Sequence, residues 1–411
     1  MKCLIIIATL FFILNSCQNK RSKSRIDDSN RELKVADLKE FIFNNDSIIE
    51  LRIDCNEPEI IVDEILSRKV DFVKLETKKE CLIGRIDKIL FDDDKIFIVD
   101  KLVSKGVFIF DFNGNYLGKI SNSGRGPEEF IEIQDVTINK WKKEVHILDA
   151  FGSKINCYNY LGEFLEAVKI KTLFHAFEYL NSNTAIRYKN RNFSPDIPEI
   201  QFATLYAVTE NSIISYGFEE GISQDKFSWN TQQQLWKHQD EVYYNSRFND
   251  TIYRVSKDTV WGTYSLNLLG YNIPAKEKVN LTNEKFEELK SHYGYLNGDF
   301  IDSEDFVFLK VFLPHGTVSS AYSKETGRII SGKQIRTNKY PLHIFFDSPL
   351  THYKDNILVE VVDAQTIIKF QWKDCPVKSE YPELEKVFAD LNIGMNAFNN
   401  PVLFFFELKG F

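Results

Sequence analysis

The stretch KIFIVDKLVSKGVFIFDFNGNYLGKI at 95–120 is matched by EVHILDAFGSKINCYNYLGEFLEAVKI at 144–170. Both read as strand, Ser-Lys loop, strand, glycine turn, strand, with Asp100 answering Asp149 and Gly114 answering Gly162. The strand-and-turn element recurs as TLYAVTEN, TIYRVSKD, SSAYSKETG and TIIKFQWKD. Its marker aromatics are Phe110, Tyr158, Tyr206, Tyr253, Tyr322 and Phe370. They are separated by 48, 48, 47, 69 and 48 residues, which makes six copies of one unit. A unit of roughly 40–50 residues with three or four short strands cannot bury both faces of its own sheet, and packing side by side solves that. The pattern predicts an all-β, six-bladed β-propeller. A β-sandwich with chance resemblance between segments is the competing architecture.

Composition agrees with sheet. The 411 residues include 34 Phe, 18 Tyr and 5 Trp, and aromatic side chains suit a pleated, half-buried surface. At about 150 residues per domain the length would suggest two or three domains, but the repeat makes one ring of it. A net charge of -8 argues against nucleic-acid partners, which need a basic surface to displace counterions.

The sixth repeat is read through PLHIFFDS, DNILVEVVD and TIIKFQWKD and lacks an outer strand, while VDFVKLET (70–77) stands before the first repeat unpaired. The N-terminal strand is therefore expected to complete the last blade and close the ring, removing exposed sheet edges. Minor helices are expected at PEIIVDEILSR (58–68), at LTNEKFEELKSHY (281–293) with Asn283 as N-cap, and at LEKVFADL near the C-terminus. The second of these explains the one long interval.

The chain opens MKCLIIIATLFFILNSC. Lys2 precedes an apolar run that is too short to span a bilayer and fits a secretory signal. Leu14, Asn15, Ser16 and Cys17 resemble a bacterial lipobox, which implies cleavage before Cys17 and acylation of it. The expected layout is a lipoprotein signal at 1–16, a flexible polar tether at 17–47 and the propeller domain at 48–411. Acyl chains contribute about 0.8 kcal/mol per buried CH₂ and would hold the protein on a membrane. Gln18 is not the Asp of inner-membrane retention, and the residues after Cys17 are basic rather than acidic. Both point to the periplasmic face of the outer membrane. Cys55, Cys81, Cys157 and Cys375 remain; they allow three pairings and show no CxxC. Free buried thiols are the expected state.

With the lipobox, the segments IGRIDKILFDDDKIFIVD (83–100), SGRGPEEF (123–130), RFNDTIYRV (247–255) and NNPVLFFFELKG (399–410) resemble Bacteroidetes six-bladed β-propeller lipoproteins, related to NHL-repeat propellers. The resemblance covers about residues 48–411. It implies the fold and the lipid anchor and no established reaction.

The residues offer few chemical motifs. SGRGPEEF reads as a tight turn between the first two repeats; Arg125 and Glu128 are its candidate ligand-binding groups at the ring mouth. Asp92, Asp93 and Asp94 read as a hairpin turn, since calcium-loop spacing is absent. Asn249 reads as an Asx turn entering a strand. Asp46-Ser47-Ile48 resembles an O-glycosylation acceptor, with Ser47 the accessible hydroxyl. Trp229, Trp236 and Tyr243-Tyr244, read as exposed, are candidates for stacking on a sugar. His175, His238 and His343 fall near inner strands and would be the metal ligands of an enzyme. No Ser-His-Asp order or reactive cysteine context is present.

Three functions follow. The first is a membrane-anchored propeller binding a protein or glycan ligand, with no cofactor. The second is a metal-dependent lyase or lactone hydrolase, as some NHL-type propellers are. The third is a scaffold in an envelope complex.

Overall fold

A computed structural model of the chain describes residues 38–170, 172–189, 197–209, 212–219, 233–245, 249–278, 283–336, 351–369, 386 and 389–411, apart from positions 62, 64, 201 and 392. Its four-stranded antiparallel units are six blades of one propeller. Blade 1 comprises Lys88–Asp92, Lys95–Asp100, Gly106–Asp111 and Tyr116–Ile120. Blade 2 comprises Asp135–Asn139, Glu144–Asp149, Lys154–Asn159 and Phe164–Lys169. Blade 3 runs from Ala176–Tyr179 to Ile213–Glu219, blade 4 from Leu235–His238 to Thr259–Asn267, and blade 5 from Tyr295–Asp302 to Ile329–Gly332. The first strand of each blade lies innermost.

Blade strands are apolar on both faces because each blade packs on two neighbours. In Lys95–Asp100, Phe97 and Val99 join the core between blades 1 and 2, while Ile96 and Ile98 join the core between blades 6 and 1. Six such interblade clusters run round the ring without a gap. The marker aromatics Phe110, Tyr158, Tyr206, Tyr253 and Tyr322 all lie on third strands. A bulge in the pairing with the fourth strand occurs at Ile109/Phe110, Cys157/Tyr158 and Ile252/Tyr253. The repeat therefore marks the point where the blade twists outward.

Asp100 and Asp149 hold the loops at equivalent places. Asp100 accepts hydrogen bonds from the backbone N–H groups of Gly84, Arg85 and Val103, each at 2.9 Å. Asp149 accepts from Ile131 and Gly152, each at 2.9 Å. Burial would raise the Asp100 carboxyl, but these donors more than offset it and the pKa lies below its ordinary value.

Blade 6 closes the ring as expected, but with different strands. Leu66–Lys74 is its outer strand, confirming the N-terminal closure. Its third strand is Val402–Leu408, seated between Ile357–Val362 and Leu66–Lys74. TIIKFQWKD does not supply that strand: Ala364–Lys369 is a helix, begun by Asp363, whose carboxylate accepts from the Thr366 N–H at 2.8 Å and from its hydroxyl at 2.8 Å. Phe370 lies outside the described residues.

The expected helix at 58–68 is also replaced. Glu59–Ile61 is a strand parallel to Gln334–Arg336, and Leu66 already belongs to blade 6. The insertion does carry a helix, Asn283–Lys290; Asn283 is its first residue rather than its cap. Near the C-terminus residues 389–391 are helical.

Residues 38–47, read from sequence as tether, are also paired. Lys39–Glu40 lies parallel to the outer strand of blade 3, and Ile42–Asn44 and Ile49–Arg52 parallel to that of blade 4. The segment 38–74 is thus a belt round the rim of blades 3, 4, 5 and 6. Glycines receive it: a Cβ on Gly217 would meet Phe41 at 3.0 Å, one on Gly262 would meet Asn45 at 2.6 Å, and one on Gly332 would meet the Glu59 backbone at 2.2 Å. Among the described residues no helix is long and apolar enough to cross a membrane. Residues 1–37, with Cys17, lie outside the described residues.

Candidate functional site

The inner strands of all six blades enclose a channel cavity of about 630 Å³. That volume lies within the range of small-molecule sites, roughly 300–1,000 Å³. Two groups of polar side chains face it, and they differ in how fully they are satisfied.

Lys88 forms the first group. It opens the inner strand of blade 1, and its ammonium lies 3.3 Å from Asp135 on blade 2 and 3.2 Å from Glu178 on blade 3. It also donates to the Val136 carbonyl at 2.8 Å. Thr137 donates to the other Glu178 oxygen at 2.6 Å, and the Phe177 N–H donates to Asp135 at 3.2 Å. Lys101 reaches Asp135 at 4.0 Å and donates to the Gln134 carbonyl at 2.8 Å. Burial alone would lower Lys88, but the two carboxylates more than offset it and hold its pKa above the lysine range. Every charge here has partners, so the cluster ties three blades together and has little left to offer a ligand.

His238 forms the second group. It ends the inner strand of blade 4 and is 7% exposed. Among the described residues neither ring nitrogen has a hydrogen-bond partner of good geometry. Burial pushes its pKa down to about 3, the neighbouring His352 adds to that, and a loose backbone contact from Phe300 opposes it. The ring is therefore neutral at ordinary pH, with one donor and one acceptor. Its centroid lies 5.6 Å from that of His352 on blade 6 and 5.5 Å from that of Phe300 on blade 5. His352 accepts no such isolation: its Nε2 lies 2.9 Å from the Asp355 carbonyl. Trp236, Phe91 and Tyr353 supply aromatic walls to the same cavity. Lys237 lines it too, donating to the Tyr179 carbonyl at 2.7 Å with its ammonium 4.6 Å from the Trp141 ring; burial lowers its pKa.

The residues singled out from sequence fall differently. Arg125 is exposed and Glu128 half-buried, and neither lines the cavity. SGRGPEEF is a self-braced turn: the Gly126 N–H donates to Glu129 at 2.7 Å, Tyr158 donates to the Glu128 carbonyl at 3.0 Å, and Phe130 is buried between blades 1 and 2. Trp236 does line the cavity, but it is buried, with its indole N–H donating to the Gly298 carbonyl at 2.9 Å. Tyr243 and Tyr244 are buried as well. These rings are buried because both faces of a blade's inner and second strands pack on neighbouring blades. Trp229 and His343 lie outside the described residues. His175 precedes blade 3, is half-buried with its pKa pushed down by burial to about 4, and is not in the cavity lining. His175 and His238 thus do not meet in the channel.

Asp93 makes the hairpin turn expected of the triple aspartate, with φ of 51°. Asn249 makes its Asx turn, accepting from the Thr251 N–H at 2.9 Å. Ser47 is exposed in the turn between two belt strands. Cys55, Cys81 and Cys157 are free and buried; Cys375 lies outside the described residues. Sequence reasoning missed Lys88, Asp135, Glu178 and His352. The available signal was their place on inner strands, with Lys88 and Asp135 each opening one.

A family profile described as a domain of unknown function (DUF4934) matches residues 11–407. No curated protein matches the sequence. Among solved structures, a protein of Bacteroides fragilis NCTC 9343 named as an exported protein aligns at 18% identity and TM-score 0.68, over 89% of this chain and 100% of that one. A member of the DUF4221 family from Bacteroides vulgatus aligns at 11% identity and TM-score 0.49, over 85% of this chain and 99% of that one. The first of these likenesses supports the fold.

Proposed function

The chain belongs to the DUF4934 family, and on that premise we propose that it is an exported, membrane-anchored propeller whose channel binds a small, neutral, polyhydroxylated ligand of mono- or disaccharide size. His238 carries this reading. A buried imidazole with both nitrogens unpartnered costs free energy; the nitrogens are closed to the cavity as they stand, and a turn of the ring toward the channel would let a ligand hydroxyl, donor and acceptor at once, recover that cost. Because His238 is neutral, a charged ligand gains no ion pair from it. Aromatic walls beside it suit the apolar face of a sugar ring, and the cavity volume suits one or two rings.

The anchor rests on the apolar run and the Leu-Asn-Ser-Cys sequence ending at Cys17. The export named for the Bacteroides fragilis protein agrees with it. Placement on the periplasmic face of the outer membrane rests on the basic residues after Cys17.

The test is calorimetric titration of the purified protein with a panel of neutral mono- and disaccharides, with tryptophan fluorescence as a second readout. A saturable signal from at least one sugar is expected, weakened at least ten-fold by His238→Ala. Silence across the panel, or equal binding by the variant, refutes the channel reading. Cys17→Ala, expected to move the protein from the membrane fraction to the soluble one, tests the anchor.

A further inference from the structure

Blade 2 carries a second constellation, away from the channel. Glu144 and His146 are alternate residues of the second strand and so share a face. Cys157 lies directly opposite His146 on the third strand. That face turns toward blade 3, where Leu148 and Cys157 enter the interblade core. The carboxylate, imidazole and thiol donor atoms all lie within 4.8 Å of one another, with Glu144 Oε2 2.8 Å from His146 Nε2.

Three features distinguish this group from a chance polar pair. First, His146 Nδ1 lies 2.7 Å from the Tyr179 hydroxyl on blade 3. Because the Glu144 carboxylate only accepts, Nε2 carries the proton in the ion-free site and Nδ1 accepts from Tyr179; a cation taking the place of the Nε2 proton would leave the ring proton on Nδ1, where the Tyr179 oxygen is placed to accept it, as in metal-binding histidines. Second, Cys157 is buried, in no disulfide and directly across the strand pair from His146. Third, the Glu144 side chain is 22% exposed while that of His146 is 6% exposed, so the group has one open side.

We propose that Glu144, His146 and Cys157 form a zinc site between blades 2 and 3, with water in the fourth position. Mixed sulfur, nitrogen and oxygen donors select zinc over the hard cations calcium and magnesium. Tetrahedral zinc with bonds of about 2.0–2.3 Å needs donors roughly 3.3–3.8 Å apart, so the 2.8 Å Glu144–His146 contact has to open slightly, and no donor separation exceeds 4.8 Å. Binding forms one Zn–S, one Zn–N and one Zn–O bond and releases the Cys157 proton to solvent. No electron moves.

Chelator-treated, full-length protein titrated with Co²⁺ tests the site. One equivalent is expected to bind, with visible bands of tetrahedral cobalt and a near-ultraviolet thiolate-to-cobalt band, both erased by one equivalent of Zn²⁺. Cys157→Ala is expected to abolish the thiolate band and His146→Ala to weaken binding at least ten-fold, with unchanged far-ultraviolet dichroism. Glu144→Gln, at the open side, is expected to weaken binding similarly and serves if either buried variant misfolds. Absence of saturable binding, saturable binding without a thiolate band, or a band that survives Cys157→Ala overturns the proposal.

Discussion

Acid should weaken the fold through His238 in a measurable and separable way. Its pKa is pushed from 6.5 to about 3 by burial. Between those values the unfolded chain holds a proton that the folded chain refuses, so stability falls as the pH drops through that window. Each unit of pH inside the window costs roughly 1.4 kcal/mol. Allowing for incomplete titration near the upper end, about 2 kcal/mol is lost from this one group on going from about pH 7 to about pH 5. Full stability is present above 6.5, and the loss levels off below the folded pKa. His175, pushed down to about 4, contributes in the same direction, so the comparison must be between proteins rather than between pH values. His238→Leu keeps an apolar side chain of similar volume and removes the titration. Urea unfolding of both proteins at the two pH values should show the wild type losing about 2 kcal/mol more than the variant. Equal losses would show that the His238 ring finds a partner when charged, and would remove the reason for calling it unsatisfied.

Other consequences can be checked by the same unfolding assay. Phe404→Ala, which empties a fully buried site between blades 5 and 6, should cost about 3–5 kcal/mol, while Phe398→Ala at an 87% exposed site should stay within about 0.5 kcal/mol. Asp149→Ala leaves two backbone N–H groups without their acceptor and should cost about 2–4 kcal/mol. Gly332→Ala places a methyl group 2.2 Å from the Glu59 backbone, so limited proteolysis should cut near residues 55–61 in the variant and spare them in the wild type.

Five blades were legible because a local pattern is repeated: an aromatic on the third strand, a polar turn after it that carries glycine in blades 1, 2 and 5, and in the first two an aspartate closing the second strand. The sixth was only half legible. TIIKF has the apolar content of a strand, but Asp363 three residues before Thr366 is a helix-start signal, and it wins. The strand that replaces it, Val402–Leu408, shows its nature in how it divides its side chains. Phe404 and Phe406 join the core with blade 5, and Leu403 and Phe405 the core with blade 1. The belt strands gave no local sign at all, because parallel pairing with residues some 170–280 positions away is written in neither partner alone. The site was hidden for a related reason. Spacing placed His238 near an inner strand, but only the closed ring brings it 5.6 Å from His352, two blades on. Arg125 and Glu128 were chosen for their conspicuous glycine-rich turn, and the turn proves to spend its polar groups on itself.

The belt and the closing strand also set an order of events for a chain made from its N-terminus. Residues 38–74 emerge first, yet their partners lie at 215–216, 259–267, 334–336 and 402–408. Blade 6 cannot form until residues 402–408 arrive, since Val402–Leu408 stands between its second and outer strands. Blades 1 to 3 can assemble locally and early, whereas the rim and the closure are long-range contacts that form late and slowly. The nascent molecule must therefore carry unpaired strand edges until residues 402–408 are made. That interval is when it is most open to aggregation or to a chaperone.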